Sequence, residues 1–242
     1  MQRDDKDLGS PAGTVSAELE ALYGALSHEL RSPLGAVLNY ASILELDYAS
    51  QLDADAHEII ARLRRNADAA VTLLDALARM ASIERAELRA ERLDLASLAR
   101  AAFDGVRPGG SPAELAVGDL PELAADAALL SIALEELFAN AIKFSAGREK
   151  AHVAISGWAG DADSIVLCVR DNGVGFDPRF ARKLFTVFSR LNPRGVYPGA
   201  GVGLALVRRI AERHGGRAWA ESEPEAGARV YLELPAGAGA LE

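Results

Sequence analysis

The chain has 242 residues, of which 50% are hydrophobic and 25% are charged, a composition typical of a folded chain with room for two domains. No apolar run approaches the roughly 20 residues of a membrane-spanning helix, so we expect no membrane segment and a cytoplasmic location. A net charge of -9 argues against nucleic-acid binding, which needs a dense basic face. The single cysteine, Cys168, excludes an internal disulfide, and its apolar neighbours predict a buried, inert thiol.

Two long helical segments follow a polar lead-in over residues 1–13. Apolar residues recur every three or four positions over residues 16–46, which predicts an amphipathic helix. A polar stretch over residues 47–55 interrupts the pattern, and a second apolar stripe then continues to about Arg85. Two long helices joined by a short turn predict an antiparallel hairpin.

The apolar stripes of this hairpin cannot both be buried by the hairpin alone. We therefore expect two copies of the chain to pair into a four-helix bundle, which makes the protein a homodimer. The alternative is that the stripes pack on the rest of the same chain.

The remainder of the chain is predicted to be a mixed α/β domain. Near residues 86–92 the sequence changes to short alternating segments with frequent glycine and proline. Asp126 is a plausible N-cap for a long helix. The predicted helices span residues 96–103, 126–145 and 203–214, and the predicted strands span residues 152–158, 164–170, 217–220 and 229–234. A flexible tail is expected over residues 237–242.

The first helix carries a candidate nucleophile, His28, followed directly by Glu29. A lone helical histidine is usually only a partly exposed polar residue. Here Pro33 removes a backbone donor and clashes with the carbonyl of Glu29, so we expect a bend beside the imidazole. A neutral imidazole is a good nucleophile near pH 7, and Glu29 can accept its proton.

The long helix of the second domain carries Glu136, Asn140 and Lys143, which are spaced by four and three residues and so share one helix face. This stripe could be a solvated surface with a weak ion pair. Carboxylate and amide oxygens are also ligands that Mg²⁺ accepts, and a nearby lysine could contact phosphate oxygens. The segment alone leaves both interpretations open.

Two glycine motifs and a pair of aromatic residues follow. Asp171, Gly173 and Gly175 come directly after a predicted strand, where they could form a hairpin turn or let backbone approach a flat ring closely. The second motif leads straight into a helix whose amides can bind phosphate, but it lacks the Gly-Lys-Ser/Thr ending of a P-loop; its glycines are Gly199, Gly201 and Gly203. Between the motifs, Phe185 and Phe188 could hinge a lid, although a place in the core is the safer interpretation for each.

Five motifs in this order resemble the core of the bacterial two-component sensor histidine kinases. They are His-Glu-x-x-x-Pro, Glu-x-x-x-Asn-Ala-x-Lys-Phe, Asp-Asn-Gly-x-Gly-Phe, Phe-x-x-Phe and Gly-x-Gly-x-Gly-Leu. The resemblance covers residues 16–235, and the segment from His214 onward is similar to the phytochrome-linked branch. It implies a dimerisation and histidine-phosphotransfer domain over residues 14–90. It also implies a catalytic ATP-binding domain, an α/β sandwich of the Bergerat (GHKL) type, over residues 91–236.

The resemblance also implies a role for each motif residue. His28 is similar to the phosphoacceptor and Glu29 to its base, while Asn140 is similar to the Mg²⁺ ligand, assisted by Glu136. The nucleotide contacts that it implies are Lys143 at a phosphate, Asp171 at the adenine amino group, Gly173 and Gly175 beneath the base, Phe185 and Leu204 elsewhere in the cofactor site, and Gly199, Gly201 and Gly203 in a mobile lid over the phosphates.

The activity implied by the resemblance is phosphorylation of His28 by ATP with Mg²⁺, followed by transfer to an aspartate of a response regulator. We expect transfer in trans, because the two domains leave no room for a receiver domain of about 120 residues. Two rival classes are a dimeric phosphotransfer or scaffold protein with a degenerate pocket, and an ATPase that drives conformational work, like Hsp90 or gyrase.

Overall fold

The computed structural model describes residues 11–109, 111–189, 197 and 201–237, with side chains within the first helix described from Glu29 onward. The chain divides between Ser82 and Ile83 into two compact units. Within the described ranges, no helix is both long enough and apolar enough to cross a membrane. Most of the predicted lead-in and tail lies outside the described residues.

The first unit is a helical hairpin, as predicted. Helix α1 spans Pro11–Asp47, a short 3₁₀ segment spans Ala49–Gln51, and helix α2 spans Ala54–Arg85 with its last turn in the second unit. The helices are antiparallel, because Arg64 near the start of α2 pairs with Glu45 near the end of α1, while Arg31 pairs with Asp75. The predicted interruption therefore coincides with the turn.

The hairpin leaves much of its apolar surface uncovered in the single chain. Small or aliphatic residues such as Ala41, Ile60 and Ala67 are buried. Many larger apolar side chains are exposed, and they are Leu30, Val37, Tyr40, Ile43, Leu44, Leu46, Tyr48, Ile59 and Leu63. A stripe of this size is typical of a surface that another protein covers.

The second unit contains seven strands and three further helices among its described residues. The helices are α3 (Leu95–Val106), α4 (Ala127–Phe144) and α5 (Gly203–Arg213). The strands are β1 (Ala90–Leu93), β2 (Glu114–Val117), β3 (Leu123–Asp126), β4 (His152–Ala159), β5 (Ser164–Asp171), β6 (Arg217–Ser222) and β7 (Ala228–Pro235). A second 3₁₀ segment spans Pro178–Phe185.

The main sheet has the strand order β2-β4-β5-β7-β6. β2 runs parallel to β4, and all other neighbours are antiparallel. β1 and β3 form a separate antiparallel pair. The register places Val153 of β4 opposite Asp171, the last residue of the central strand β5. The end of β5 is therefore flanked by both neighbouring strands.

The core lies between one face of the sheet and the three helices α3, α4 and α5. Phe138 of α4 is fully buried and meets Phe103 of α3 edge to face, with ring centroids 5.6 Å apart. Leu206 and Ile210 of α5 are also buried. This apolar layer fixes α4 against β5, and α5 against α4.

The opposite face of the sheet carries a smaller cluster around Cys168 and Tyr231, which lie opposite each other in the register. Trp219 stacks on Tyr231 with ring centroids 5.0 Å apart. Burial raises the pKa of the Cys168 thiol to about 11. The predicted burial of the thiol is thus confirmed, and a raised pKa disfavours the reactive thiolate at neutral pH.

The predicted helices and strands of the second unit are all present, with ends that differ by a few residues. Four further elements were not predicted: the strands β1, β2 and β3, each only four residues long, and the 3₁₀ segment Pro178–Phe185. Asp126 is the N-cap of α4, as predicted, and accepts the Leu129 N–H at 3.0 Å.

The Asp126 carboxylate stabilises more than its own helix, since it also accepts the Arg89 N–H at 3.0 Å. Burial acts to raise the pKa of Asp126, but these N–H donors and the nearby His214 outweigh it and lower the pKa. A carboxyl whose pKa is lowered in the folded state stabilises the fold at neutral pH. That stabilisation is lost as the pH falls through the lowered pKa.

We expect Asp126→Ala to decrease the free energy of unfolding by about 1 kcal/mol at pH 7, because the buried N–H of Leu129 and the part-buried N–H of Arg89 lose their acceptor. Urea unfolding followed by circular dichroism at several pH values measures this. The difference from wild type should shrink in acid. Asp104→Ala, at an exposed helix position, is the control. A difference that persists unchanged below the usual aspartate pKa would contradict this assignment.

Candidate functional site

Asp171, at the end of β5, is a buried carboxylate fixed by the backbone. Its Oδ1 accepts the N–H of Gly173 at 2.8 Å and the N–H of Ala228 at 3.1 Å. Burial raises the pKa of Asp171, and these two N–H donors only partly oppose that effect. Both hydrogen bonds to described residues fall on Oδ1, so Oδ2 is the oxygen available to an outside donor.

Gly173 brings the loop after β5 against the end of α4. A Cβ at this position would lie 2.6 Å from the Phe144 carbonyl oxygen and 2.9 Å from Oδ1 of Asp171. The next residue, Val174, donates its N–H to the same Phe144 oxygen at 3.2 Å. Only glycine fits here without displacing the backbone.

Gly175 has a positive φ of 64°, and a Cβ there would lie 2.2 Å from the Glu223 carbonyl oxygen. The loop is also tied to β6, because the Phe176 N–H donates to the Ser222 hydroxyl at 2.9 Å. β5 pairs with β4 and β7, and the loop leads into the 3₁₀ segment. The alternative of a hairpin turn at Asp171 to Gly175 is therefore wrong.

Glu136, Asn140 and Lys143 lie together on α4, at the start of α5. A Cβ built on Gly203 would lie 2.5 Å from Oε2 of Glu136 and 3.3 Å from Nδ2 of Asn140, so both side chains reach the same point. Lys143 Nζ donates to Asn140 Oδ1 at 2.8 Å and lies 4.4 Å from the ring centroid of Phe144. The three polar side chains form one cluster.

This cluster offers hard oxygen donors that suit Mg²⁺, namely the Glu136 carboxylate and the Asn140 amide oxygen. Among the described residues, no group of three or more His, Cys, Asp or Glu side chains could hold a metal by itself. Mg²⁺ beside a nucleotide usually takes only one or two protein ligands and completes its shell with phosphate oxygens and water. The donor set therefore fits that kind of site.

The second glycine motif leads into α5. Gly201 has a positive φ of 73°, Val202 is the N-cap, and Gly203 and Leu204 open the helix. The N-terminus of α5 therefore lies beside the Glu136 and Asn140 side chains, where free amides and the helix dipole favour negative charge. Gly199 lies outside the described residues.

The two phenylalanines differ in their environments. Phe185 ends the 3₁₀ segment and is buried, and this segment packs against α5 and β6. Phe188 is 48% exposed and has a positive φ of 64°. The core interpretation thus holds for Phe185 and is wrong for Phe188.

The candidate nucleophile belongs to the first unit. His28 lies in α1, but its side chain is outside the described residues. Glu29 is exposed, and α1 continues through Pro33.

Several residues that shape the Asp171 loop were not predicted from the sequence. Arg148 donates to the carbonyl oxygens of Asn172 and Gly173, each at 3.0 Å. The Asn172 side chain bridges the Lys150 carbonyl and the His152 N–H, each at 2.9 Å. Gly227 also packs against the Asp171 backbone, where a Cβ would not fit. Its position between two predicted strands is a signal that could have identified it as a turn glycine. Asn172 lies within the Asp-Asn-Gly-x-Gly-Phe motif, but the motif does not predict its side-chain contacts, and no sequence signal points to Arg148. The partners of both residues are distant in sequence.

Comparisons with known proteins agree with this arrangement. Residues 18–86 match the family described as the His Kinase A (phospho-acceptor) domain. Residues 125–238 match the family described as the histidine kinase-, DNA gyrase B- and HSP90-like ATPase. The second match contains Glu136, Asn140, Asp171 and the glycine motifs.

Relatives match over nearly the whole chain. The phytochrome-like protein Cph1 of Synechocystis is 34% identical over 224 residues, which are 92% of this chain and 30% of Cph1. The sensor protein KdpD of Escherichia coli is 33% identical over 219 residues, which are 89% of this chain and 24% of KdpD. The chain thus spans a third or less of the length of these two relatives.

Solved structures share the fold. Full-length ShkA in complex with AMPPNP is 29% identical, with a TM-score of 0.63 over 89% of this chain and 45% of ShkA. The mycobacterial sensor histidine kinase MprB is 25% identical, with a TM-score of 0.53 over 61% of this chain and 97% of the MprB chain. The chain therefore belongs to the sensor histidine kinases, with a phospho-acceptor domain followed by an ATP-binding ATPase domain.

Proposed function

We propose that this chain is an ATP-dependent protein histidine kinase that phosphorylates its own His28 and passes the phosphoryl group to an aspartate of a response regulator in trans. The observation that carries the proposal is a buried carboxylate, Asp171, held by two N–H groups at a loop that only glycine can form. A polar cluster suited to metal and phosphate lies on the adjoining helix α4.

The Asp171 loop suits an adenine base. The carboxylate Oδ2 can accept from the exocyclic amino group, and Gly173 has no side chain to hold the ring away. Guanine carries an oxygen at the equivalent position, which a carboxylate would repel. A buried polar site built for one donor discriminates strongly against a ligand that lacks it.

The phosphate end of the nucleotide suits the α4 cluster and the start of α5. Asn140, assisted by Glu136, would hold Mg²⁺, whose charge offsets that of the phosphate oxygens when it is bound. Lys143 would then leave Asn140 Oδ1 and contact a phosphate. The amides at Gly201 and Gly203 and the helix dipole add to this stabilisation, with Gly199 as a further part of the lid.

The reaction is an in-line displacement at the γ-phosphorus. A ring nitrogen of His28 forms the new N–P bond, the bond to the bridging oxygen breaks, and ADP leaves with that electron pair. Glu29 accepts the proton from the other ring nitrogen. A response-regulator aspartate then displaces the imidazole. These steps depend mainly on positioning and charge neutralisation.

The chain acts as a homodimer in this proposal. The exposed stripe on α1 and α2 supports it, because about 40% of the surface of residues such as Leu44 and Leu63 stays accessible in a single chain. A second copy would bury these side chains in a four-helix bundle. The absence of a spanning helix among the described residues is compatible with a cytoplasmic site of action.

His28→Gln should abolish stable labelling of the protein by γ-labelled ATP, because the substituted side chain has no nucleophilic nitrogen. The label on wild type should be labile in acid and stable in base, as expected for an N–P bond. His57→Gln, in an exposed part of α2, is the matched control and should label normally. A scaffold with a degenerate pocket would show no label in any variant.

Asp171→Asn should raise the Kd for ATP by at least about tenfold. The single oxygen of an amide can accept from the two backbone N–H groups or from the adenine amino group, but not from both sets of donors. Isothermal titration calorimetry with AMPPNP measures this. Wild-type affinity should also fall as the pH drops through the raised pKa of Asp171, because the protonated carboxyl is a poorer acceptor. Equal pH profiles for wild type and variant would contradict the assignment.

Leu44→Glu with Leu63→Glu should convert the dimer to a monomer in light scattering coupled to size-exclusion chromatography, because burying two carboxylates in the bundle is strongly unfavourable. Arg65→Glu, at an exposed polar position of α2, should leave the dimer intact. A double variant that remains dimeric at low micromolar concentration would place the interface elsewhere.

A further inference from the structure

Arg148 has more acceptors than an ordinary surface arginine. Its Nε donates to the Asn172 carbonyl at 3.0 Å. Its Nη2 has two hydrogens and lies within hydrogen-bond distance of three oxygens, which are the Gly173 carbonyl at 3.0 Å, the Glu225 carbonyl at 3.2 Å and the Glu225 carboxylate at 2.9 Å. Its own N–H donates to the carbonyl of Ser145, the C-cap of α4, at 2.9 Å. The Arg148 side chain therefore links the Asp171 loop to the turn between β6 and β7, and its backbone N–H joins it to the end of α4.

The carbonyl bonds matter more than the ion pair. The Glu225 side chain is 74% exposed, and an exposed ion pair contributes little free energy. Asn172 and Gly173, by contrast, are intermediate and buried, and their carbonyls would lose a charged donor without Arg148. The planar guanidinium can serve several acceptors at fixed angles, which a lysine cannot do.

The turn that Arg148 reaches is itself built against the Asp171 loop. Glu225 has a positive φ of 63°, which is unfavourable for a non-glycine residue, and its N–H donates to the Val174 carbonyl at 2.7 Å. Gly227 lies so close that a Cβ there would be 2.1 Å from the Asp171 carbonyl. The Ala228 N–H holds Asp171 Oδ1. Backbone strain that the surroundings maintain beside a ligand site points to a functional constraint.

We propose that Arg148 is a positioning residue for nucleotide binding. It joins the β6–β7 turn to the loop after β5, and so holds Asp171 and Gly173 in the geometry that receives the base. This inference rests on the proposed function, since it adds a residue to the same site. It assigns Arg148 no contact with the nucleotide or with the transferred phosphoryl group.

The test is AMPPNP binding by calorimetry on the full chain. Arg148→Gln should raise the Kd about tenfold, because the loop must be ordered on binding instead of beforehand. Arg148→Lys should stay at least about threefold weaker than wild type, because it keeps the charge but loses the fork of donors. Glu225→Gln should remain within about twofold of wild type, because the exposed charge contributes little. Lys150→Gln, which removes an exposed partner of Glu114, is the matched control.

Kinetics and stability separate positioning from a general structural role. At saturating ATP, Arg148→Gln should retain the wild-type kcat for autophosphorylation while its KM rises with the Kd, since only ground-state binding is affected. Hydrogen exchange in the nucleotide-free protein should accelerate at residues 172–176. A lower melting temperature with an unchanged Kd at 20 °C would overturn the inference, and so would a lower kcat with an unchanged Kd or full rescue by lysine.

The wild-type titration distinguishes failure of this inference from failure of the proposed function. If wild type does not bind AMPPNP, the proposed function itself fails. If wild type binds and Arg148→Gln binds equally well, only the role of Arg148 is wrong.

Discussion

The site depends on one buried carboxylate whose position is set by backbone rather than by side chains. Oδ1 of Asp171 is held between the N–H groups of Gly173 and Ala228, which come from segments 55 residues apart in the sequence. Because burial disfavours the charged form, these donors are needed to offset part of that penalty. The main sheet and the helical layer keep both segments in place, so the whole second unit contributes to orienting one oxygen toward a ligand.

The two ends of the site are built on different principles. At Asp171 the carboxylate is held by backbone N–H groups, and at Gly173 and Gly227 there is no space for a side chain. At Asn140 the contacts are between polar side chains, and Lys143 donates to the oxygen that a cation would take under the proposed function. Under the proposed function, the backbone-held end would select a flat base, whereas the polar side chains at the other end would exchange their contacts for a phosphate and its cation. The helix α4 and the turn after it connect the two ends through Arg148.

Local sequence signals predicted much of this structure. The elements that depend on contacts between distant segments were not predicted. The three- and four-residue spacing of apolar residues gave both long helices, and Asp126 marked the start of α4. The short strands β1 to β3 carry too few residues to show a period, and they exist because distant segments pair with them. Gly173 and Gly175 were recognisable as a motif. The role of the turn containing Glu225 and Gly227 was not predictable, because it depends on contacts with the loop after β5. Phe188 is a further example, because the Phe-x-x-Phe motif singled it out but did not predict that its side chain is exposed.

Under the proposed function, all described nucleotide contacts come from the second unit, while the phosphoacceptor His28 belongs to α1. Contacts to the adenine are the same before and in the transition state, so they increase affinity without accelerating phosphoryl transfer. The rate then depends on how often the γ-phosphorus and the imidazole come into line, which is a property of the relation between the units and not of the pocket. An input signal could therefore control the kinase by changing that encounter alone, with the nucleotide bound throughout. Under the proposed function, the Asp171 site would therefore set the affinity for the nucleotide, while the encounter with His28 would set the rate of phosphoryl transfer.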